Sequence, residues 1–258
     1  MRPTGGSKTG QTMEPWAEAQ LRERVYPSAG RLAMRQRWRD LLFLHWRWNA
    51  AEVQGTLPAG LTVDTWDGSA WIGIVPFAMR GVRPRFTPSI PVVSNFLELN
   101  LRTYVRDAQG RPGVWFYSLD ASQPLAVWAA RALFALPYFG ARMECRIEAG
   151  EFRFRSRRHG NRAALDYRYR PVGKGREAVP GSLDFFLVER YRLFAWRASR
   201  LLTGRVYHPP YHIASVTLAA WDDALFAMDG FRPPGSRPDH QAYSPGVDVS
   251  IFPMELVR

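Results

Sequence analysis

The chain has 258 residues, of which 46% are hydrophobic and 14% aromatic, so it is long enough to bury the core of one large or two small globular domains. Its single cysteine, Cys145, excludes an internal disulfide, and without a recognisable secretion signal the sequence predicts a cytoplasmic protein. The formal net charge is +12, and arginine supplies nearly all of it, because Lys8 and Lys174 are the only lysines.

Residues 1–30 are predicted to be a mostly flexible lead, because the first fourteen are rich in Gly, Thr and Ser. Residues 31–258 are expected to form one domain, since no long linker divides them. Residues 37–48 begin with a helix-like pattern and end as an aromatic strand, and residues 57–79 follow with a hairpin around an Asp-Gly turn. The second strand of this hairpin is apolar on both faces, which predicts burial on both sides.

Residues 95–105 have the two-residue period of a strand with different faces. One face carries Leu97, Leu99, Leu101 and Val105, and the other carries Phe96, Glu98, Asn100, Arg102 and Tyr104. Residues 113–119 are its expected hairpin partner, and further strands are predicted near 141–148, 151–157, 164–170, 201–207, 212–219 and 247–252. Many strands with few helices predict a β-rich α+β fold built as a barrel or a sandwich.

The segment from Pro124 to Leu136 is predicted to be a helix that is apolar all round, and such helices are buried. Arg131 is its only charge, and Glu98 is the best carboxylate to pair with it, because a buried guanidinium needs a partner. The alternative is that Arg131 reaches solvent and Glu98 faces water, which is the commoner situation for such residues.

A set of short segments stands in order along residues 35–220: FLHW (43–46), LPAGLTVDTWDGSAWIG (57–73), PF (76–77), FLELNLRTYV (96–105), FYSLDAS (116–122), AR (130–131), LPYF (136–139), ERY (189–191) and HPP (208–210). This set closely resembles the YqjF-like proteins, a bacterial family whose domain has no known function. That family more remotely resembles the acetoacetate decarboxylase superfamily. The resemblance implies an antiparallel β-barrel with one buried helix, short peripheral helices and a small enclosed pocket.

The resemblance also implies site residues. The inward glutamate of the decarboxylase pattern falls on Glu98, its helix arginine on Arg131, and its Pro-Lys step on Pro137-Tyr138. Tyrosine has no amine and cannot form the imine made by the superfamily's lysine, so that route is disfavoured. Tyr138, Glu98 and Arg131 are therefore the candidate catalytic residues. The candidate ligand-binding residues are Asn100, Arg102, Tyr104, His45, Arg190, Tyr191 and His208.

The expected partner is a small carboxylate or carbonyl compound, bound and converted without a Schiff-base lysine. Two alternatives stand beside this function: a non-catalytic ligand-binding or sensor barrel, and a basic surface that binds nucleic acid or anionic lipid. The sequence predicts no specific nucleic-acid partner, no transmembrane segment and no cofactor. It also predicts no metal site, because Pro209-Pro210 prevents a helix between His208 and His212. Homo-oligomerisation and catalysis itself are left open.

Overall fold

The computed structural model describes residues 14–27 and 32–257. Its helices are α1 (Pro15–Glu23), α2 (Ala50–Gln54), α3 (Pro91–Ser94), α4 (Pro124–Phe134), α5 (Leu183–Val188) and α6 (Ala224–Met228). Its strands are β1 (Met34–Trp48), β2 (Leu61–Val63), β3 (Ala70–Pro84), β4 (Phe96–Asp107), β5 (Pro112–Ala121), β6 (Tyr138–Glu148), β7 (Glu151–Arg158), β8 (Leu165–Glu177), β9 (Arg192–Arg197), β10 (Arg200–Tyr207), β11 (His212–Ala220) and β12 (His240–Leu256). The predicted strand-rich α+β fold is confirmed.

The strands form one sheet in the order β10-β9-β5-β6-β7-β8-β11-β12-β1-β3-β4-β2, and two additional pairings, β10–β12 and β5–β4, make it ring-like. A small ring runs through β5, β9, β10, β12, β1, β3 and β4, and a large ring through β5, β6, β7, β8, β11, β12, β1, β3 and β4. The pairings are antiparallel except for β5–β6 and β5–β9, which are parallel. The segment containing α4 carries the chain back along the sheet between β5 and β6, so these two strands run in the same direction.

Strands β12, β1, β3, β4 and β5 belong to both rings and form a shared arc. On β3, Val75 and Phe77 point into the core of the small ring, whereas Ile72 and Ile74 point into a second core within the large ring. This arrangement confirms the prediction that the strand is buried on both faces.

Helix α1 packs against the sheet, which corrects the flexible lead predicted for residues 1–30 within the described part of the chain. The amide Nε2 of Gln20 donates to the carbonyl oxygens of Phe185 and Glu189, both at 2.6 Å. Glu23 adds an ion pair with Arg192 at 2.9 Å. The remainder of the predicted lead, residues 1–13 and 28–30, lies outside the described residues.

Two other local predictions differ from the structure. Residues 37–48, expected to begin as a helix, are strand throughout, because β1 pairs along its length with β3 and β12. The Asp-Gly turn forms, with a bridge between Trp66 and Ser69, but β2 pairs with β4 rather than with β3. Tertiary pairing therefore overrides both local patterns.

Helix α4 forms where the sequence predicts it, but the prediction that it is buried is wrong. Pro124 occupies its first turn, the side chain of Gln123 accepts from the amide of Leu125, and Ala135 ends it with a left-handed φ of 55°. Leu125, Trp128 and Leu133 are 58%, 71% and 65% exposed. The helix covers the sheet with one face only, and its other face meets solvent. None of the helices in the described ranges has the length and apolar character needed to cross a membrane.

Candidate functional site

The small ring and α4 surround a cavity of about 150 Å³. Each of the seven strands of the ring contributes to its lining, and most of the contacting side chains are apolar. The small face of α4, formed by Ala126, Ala129 and Ala130, closes one side. The charged and strongly polar groups of the lining include Glu98, Asn100, Arg102, Tyr138, Arg190 and Arg192.

Strand β4 places three of these groups in the cavity. Glu98, Asn100 and Arg102 are two residues apart, so the alternation of a strand turns them to the same side. Leu99 and Leu101 point the other way, into the second core. The face predicted from the sequence is therefore the cavity face for these three residues.

Tyr138 reaches Glu98 from the start of β6, where the register places it opposite Leu119 of β5. Its phenol donates to Oε2 of Glu98 at 2.8 Å, and both side chains are buried. Burial raises the pKa of Glu98 to about 7, although the hydrogen bonds from Tyr138 and Asn100 lower it. Burial also raises the pKa of Tyr138 well above its ordinary value, and the neighbouring Glu98 raises it further. The pair thus consists of a protonated phenol and a carboxyl that changes charge near neutral pH.

Arg131 lies outside this pair. Its side chain is exposed, its Nε donates to the main-chain oxygen of Tyr138 at 2.6 Å, and its guanidinium lies 5.8 Å from the ring of Phe139. The predicted ion pair with Glu98 is wrong, because α4 turns its alanines and Phe134 toward the cavity and Arg131 away from it. Arg131 instead holds the backbone that carries Tyr138.

Arg102 is a buried cation in the lining that makes no ion pair with any described residue. Its best hydrogen bond is a long one, 3.5 Å from Nη2 to the main-chain oxygen of Leu187. Its guanidinium lies 5.5 Å from the ring of Phe43 and 5.7 Å from the ring of Tyr104, and its Nε has no hydrogen-bond partner. Arg190 and Arg192 differ, because they are paired with Asp64 at 2.7 Å and with Glu23.

Four of the predicted ligand-binding residues, His45, Tyr104, Tyr191 and His208, are buried behind the lining and do not contribute to it. Tyr104 contacts Nε2 of His45 at 2.6 Å, and Nδ1 of His45 lies 2.9 Å from Nδ1 of His240. Burial lowers the pKa of His45 well below its ordinary value.

The other two members of this buried group stack on each other. The ring of Tyr191 lies 4.5 Å from that of His208, and its hydroxyl donates to Glu189. Burial lowers the pKa of His208 to about 4. The structure thus places all four residues as supports of the cavity wall. Among the described residues, no cluster of three or more His, Cys, Asp or Glu side chains is arranged to hold a metal ion.

The sequence analysis missed a buried ionic cluster whose members lie outside the cavity lining. The guanidinium of Arg158 donates three hydrogen bonds: from Nε to Asp120 and from Nη1 to Asp229, both at 2.8 Å, and from Nη2 to Ser118 at 2.7 Å. Burial raises the pKa of Asp120 to about 6, although Arg158 lowers it. The signal was present in β7, where the alternation of Phe152, Phe154 and Ser156 puts Arg158 on the buried face.

The same fold occurs in solved structures of acetoacetate decarboxylase-like proteins. Acetoacetate decarboxylase from Legionella pneumophila subsp. pneumophila str. Philadelphia 1 matches with a TM-score of 0.62 at 11% identity, covering 92% of this chain and 95% of that one. The enduracididine biosynthesis enzyme MppR, complexed with pyruvate, matches with a TM-score of 0.62 at 14% identity, covering 89% and 91%. An acetoacetate decarboxylase-like enzyme from Sphingomonas wittichii RW1 gives 0.60 at 17% identity, covering 88% and 94%. At these identities the likeness shows the fold alone, and it confirms the predicted one.

Sequence comparison gives the family. Residues 35–248 match the family DUF2071, described as an uncharacterized conserved protein. The uncharacterized protein YqjF of Bacillus subtilis (strain 168) is 36% identical over 222 residues, which cover 86% of this chain and 91% of the relative. The chain belongs to the DUF2071 family, and its resemblance to YqjF-like proteins is confirmed.

Proposed function

We propose that the cavity binds a small carboxylic acid with a largely apolar body, and that Tyr138 and Glu98 act on a carbonyl group of the same molecule. The observation that carries the proposal is Arg102, a buried guanidinium in an apolar lining with no ion-pair partner in the described chain. A buried cation without a partner is unfavourable. An anionic ligand supplies the missing charge.

The size of the cavity sets the size of the ligand. A volume of about 150 Å³ equals that of an engineered protein cavity that admits benzene, so roughly six to ten non-hydrogen atoms fit. Glu98 and Arg102 are four residues apart on β4, which separates their Cα atoms by about 13 Å. A carboxylate bound at Arg102 therefore leaves the opposite end of the ligand directed toward Glu98 and Tyr138.

The chemistry at that end is proton donation. When Glu98 is protonated, it no longer needs the phenol as a donor, and Tyr138 can donate its hydrogen to a ligand carbonyl. Because the pKa of Glu98 is about 7, this carboxyl both gives and accepts a proton near neutral pH. No Schiff base enters the proposal, since Tyr138 has no amine and Lys174 is an exposed residue of β8 outside the lining.

Calorimetric titration with benzoate and with benzyl alcohol tests the binding step, because the two probes have similar size and only benzoate is charged. Benzoate is expected to bind at least tenfold more tightly. Arg102→Met should abolish this preference, whereas the exposed control Arg131→Met should keep it. Affinity for benzoate should fall as the pH rises through about 7, since ionised Glu98 adds a second negative charge, and Glu98→Gln should remove that dependence. Equal affinity for both probes would refute the proposal.

Native mass spectrometry of protein purified without added ligand tests the chemical step. A retained compound is identified by its mass, supplied in excess and followed for conversion. Turnover that Tyr138→Phe abolishes supports an enzyme that uses this pair. Retention of the compound without turnover refutes the catalytic part and leaves a binding protein.

A further inference from the structure

A groove of about 460 Å³ opens beside the cavity, where β1, β3, β10 and β12 come together. Three arginines, Arg35, Arg37 and Arg83, contribute to its lining, and we refer to it as the arginine groove. Tyr207 and Ser250 add hydroxyl groups to the same lining. Gln36 lines both the groove and the cavity, so the two are neighbours.

Within the described part of the chain, the three guanidiniums have no ion-pair partner. None of them forms a salt bridge within residues 14–27 and 32–257. The single carboxylate of the lining, Asp248, is paired with Arg39 at 2.5 Å. The lining therefore carries three arginines against one carboxylate, Asp248, which lies opposite Arg37 across the β1–β12 pairing but is bonded to Arg39.

The register between β1 and β3 places like charges opposite each other. Arg35 lies directly opposite Arg83, and Arg37 lies directly opposite Arg80, across the β1–β3 pairing. Like charges in directly opposed positions destabilise a sheet. Arg37 also packs closely on Gly81, since a Cβ added to this glycine would lie 3.0 Å from Nη2 of Arg37. Its guanidinium thus lies against the backbone at Gly81.

We propose that the arginine groove binds a small molecule that carries a diphosphate group. The planar fork of arginine matches phosphate oxygens, and arginine is favoured wherever phosphate is recognised through paired hydrogen bonds. One phosphate monoester brings about −1.5 to −2 charges at neutral pH, which leaves part of the groove charge uncompensated. The second phosphate of a diphosphate supplies a further negative charge for the third guanidinium.

Calorimetric titration of the full chain with inorganic pyrophosphate tests the proposal, with inorganic phosphate and a single-stranded DNA oligonucleotide as comparison probes. Saturable binding of one pyrophosphate per chain is expected, at least tenfold tighter than phosphate. The double variant Arg35→Ser/Arg83→Ser should weaken pyrophosphate binding at least tenfold. Its melting temperature without ligand should equal or exceed that of the unchanged protein, because a like-charge pair has been removed.

The matched control is Arg155→Ser/Arg157→Ser, which removes two exposed arginines of β7 and changes the net charge equally. It should leave pyrophosphate affinity unchanged.

Equal weakening in both double variants, or no saturable binding to the unchanged protein, would overturn the proposal. Phosphate binding as tightly as pyrophosphate would refute the diphosphate assignment. DNA binding more tightly than pyrophosphate would assign the groove to nucleic acid instead. If the double variant fails to fold, Arg35→Ser alone gives the same comparison with Arg155→Ser.

Discussion

Tyr138 and Glu98 are 40 residues apart in the chain, yet the phenol of one donates to the carboxyl of the other at 2.8 Å inside the cavity. The contact joins the start of β6 to the first part of β4 across the intervening strand β5. Both side chains are buried, so each strongly affects the protonation of the other. The contact is thus a structural bond as well as the proposed reactive pair.

Tyr138→Phe is expected to lower the free energy of unfolding by about 1–3 kcal/mol at pH 8.5, where Glu98 is ionised and loses its donor. At pH 5 Glu98 is neutral, and the loss should be smaller. Urea unfolding at the two pH values measures both changes. A loss of the same size at pH 5 and pH 8.5 would contradict a role for the phenol as donor to the ionised carboxylate.

Glu98→Gln tests the raised pKa of the buried carboxyl through the pH dependence of stability. The pKa of Glu98 lies at about 7 in the folded protein against an ordinary value of 4.5. The stability that its neutral form provides is therefore fully present below pH 4.5 and is lost as the pH rises through 7. This group alone makes the protein about 3 kcal/mol less stable at pH 8.5 than at pH 4. Glu98→Gln lacks this titration. Between pH 4 and pH 8.5, the difference in free energy of unfolding between the variant and the unchanged protein should therefore shift by about 3 kcal/mol in favour of the variant, as measured by urea unfolding. A constant difference between the two proteins would refute the raised pKa.

Arg131→Met should have little effect on stability, because the side chain is exposed and has no carboxylate partner in the described structure. A change below about 1 kcal/mol is expected, which is the usual size for one hydrogen bond. Denaturant unfolding of the single variant, of Glu98→Gln and of the double variant gives the coupling between the two sites. A loss of about 3–5 kcal/mol, the size expected for breaking a buried ion pair, would restore the predicted Arg131–Glu98 pair.

Arg102→Met should separate binding from stability. No ion pair within the described residues is broken and a buried unpaired cation is removed, so the free energy of unfolding should stay the same or rise, while benzoate binding is lost. Unfolding and titration of the same protein preparation give both values. A large loss of stability without loss of benzoate binding would mean that Arg102 is a structural residue.

Arg158→Met should destabilise the protein by about 3–5 kcal/mol, because it leaves Asp120 and Asp229 buried without their cation. The matched control is Arg153→Met, also on β7, which breaks an exposed pair with Asp166 of β8 and should cost less than about 1 kcal/mol. Comparison of the two unfolding curves checks the difference. Similar losses for both variants would show that the buried cluster adds nothing beyond a surface ion pair.

The sequence predicts the architecture well where its patterns are governed by burial. The alternation around Glu98, Asn100 and Arg102 predicts their shared face, and the apolar run on both sides of β3 predicts its two buried faces. The family resemblance brings Tyr138 to Glu98, which spacing alone does not.

The errors arise where local pattern does not determine which surface an element contacts. Helix α4 has apolar residues all round, so a helical wheel gives no reason for Trp128 to be exposed or for Arg131 to bond to the backbone of Tyr138 instead of to Glu98. The Arg158 cluster unites residues from β5 and β7 with Asp229, which follows α6, and only the three-dimensional fold brings them together. Tyr104 lies on β4 with the other predicted residues, but its ring packs against Phe186 and does not line the cavity.

The shared arc divides the cavity wall into a constrained part and an adaptable part. Side chains of β1, β3 and β4 that face the cavity stand on backbone whose opposite side is packed into the second core, so a shift of this backbone also disturbs a second interior. Helix α4 borders the cavity with Ala126, Ala129 and Ala130 and meets solvent on its other side. Larger residues at these three alanines reshape the cavity without disturbing the second core. The cavity wall is therefore open to redesign at α4, whereas the polar groups of β4 are held from both sides.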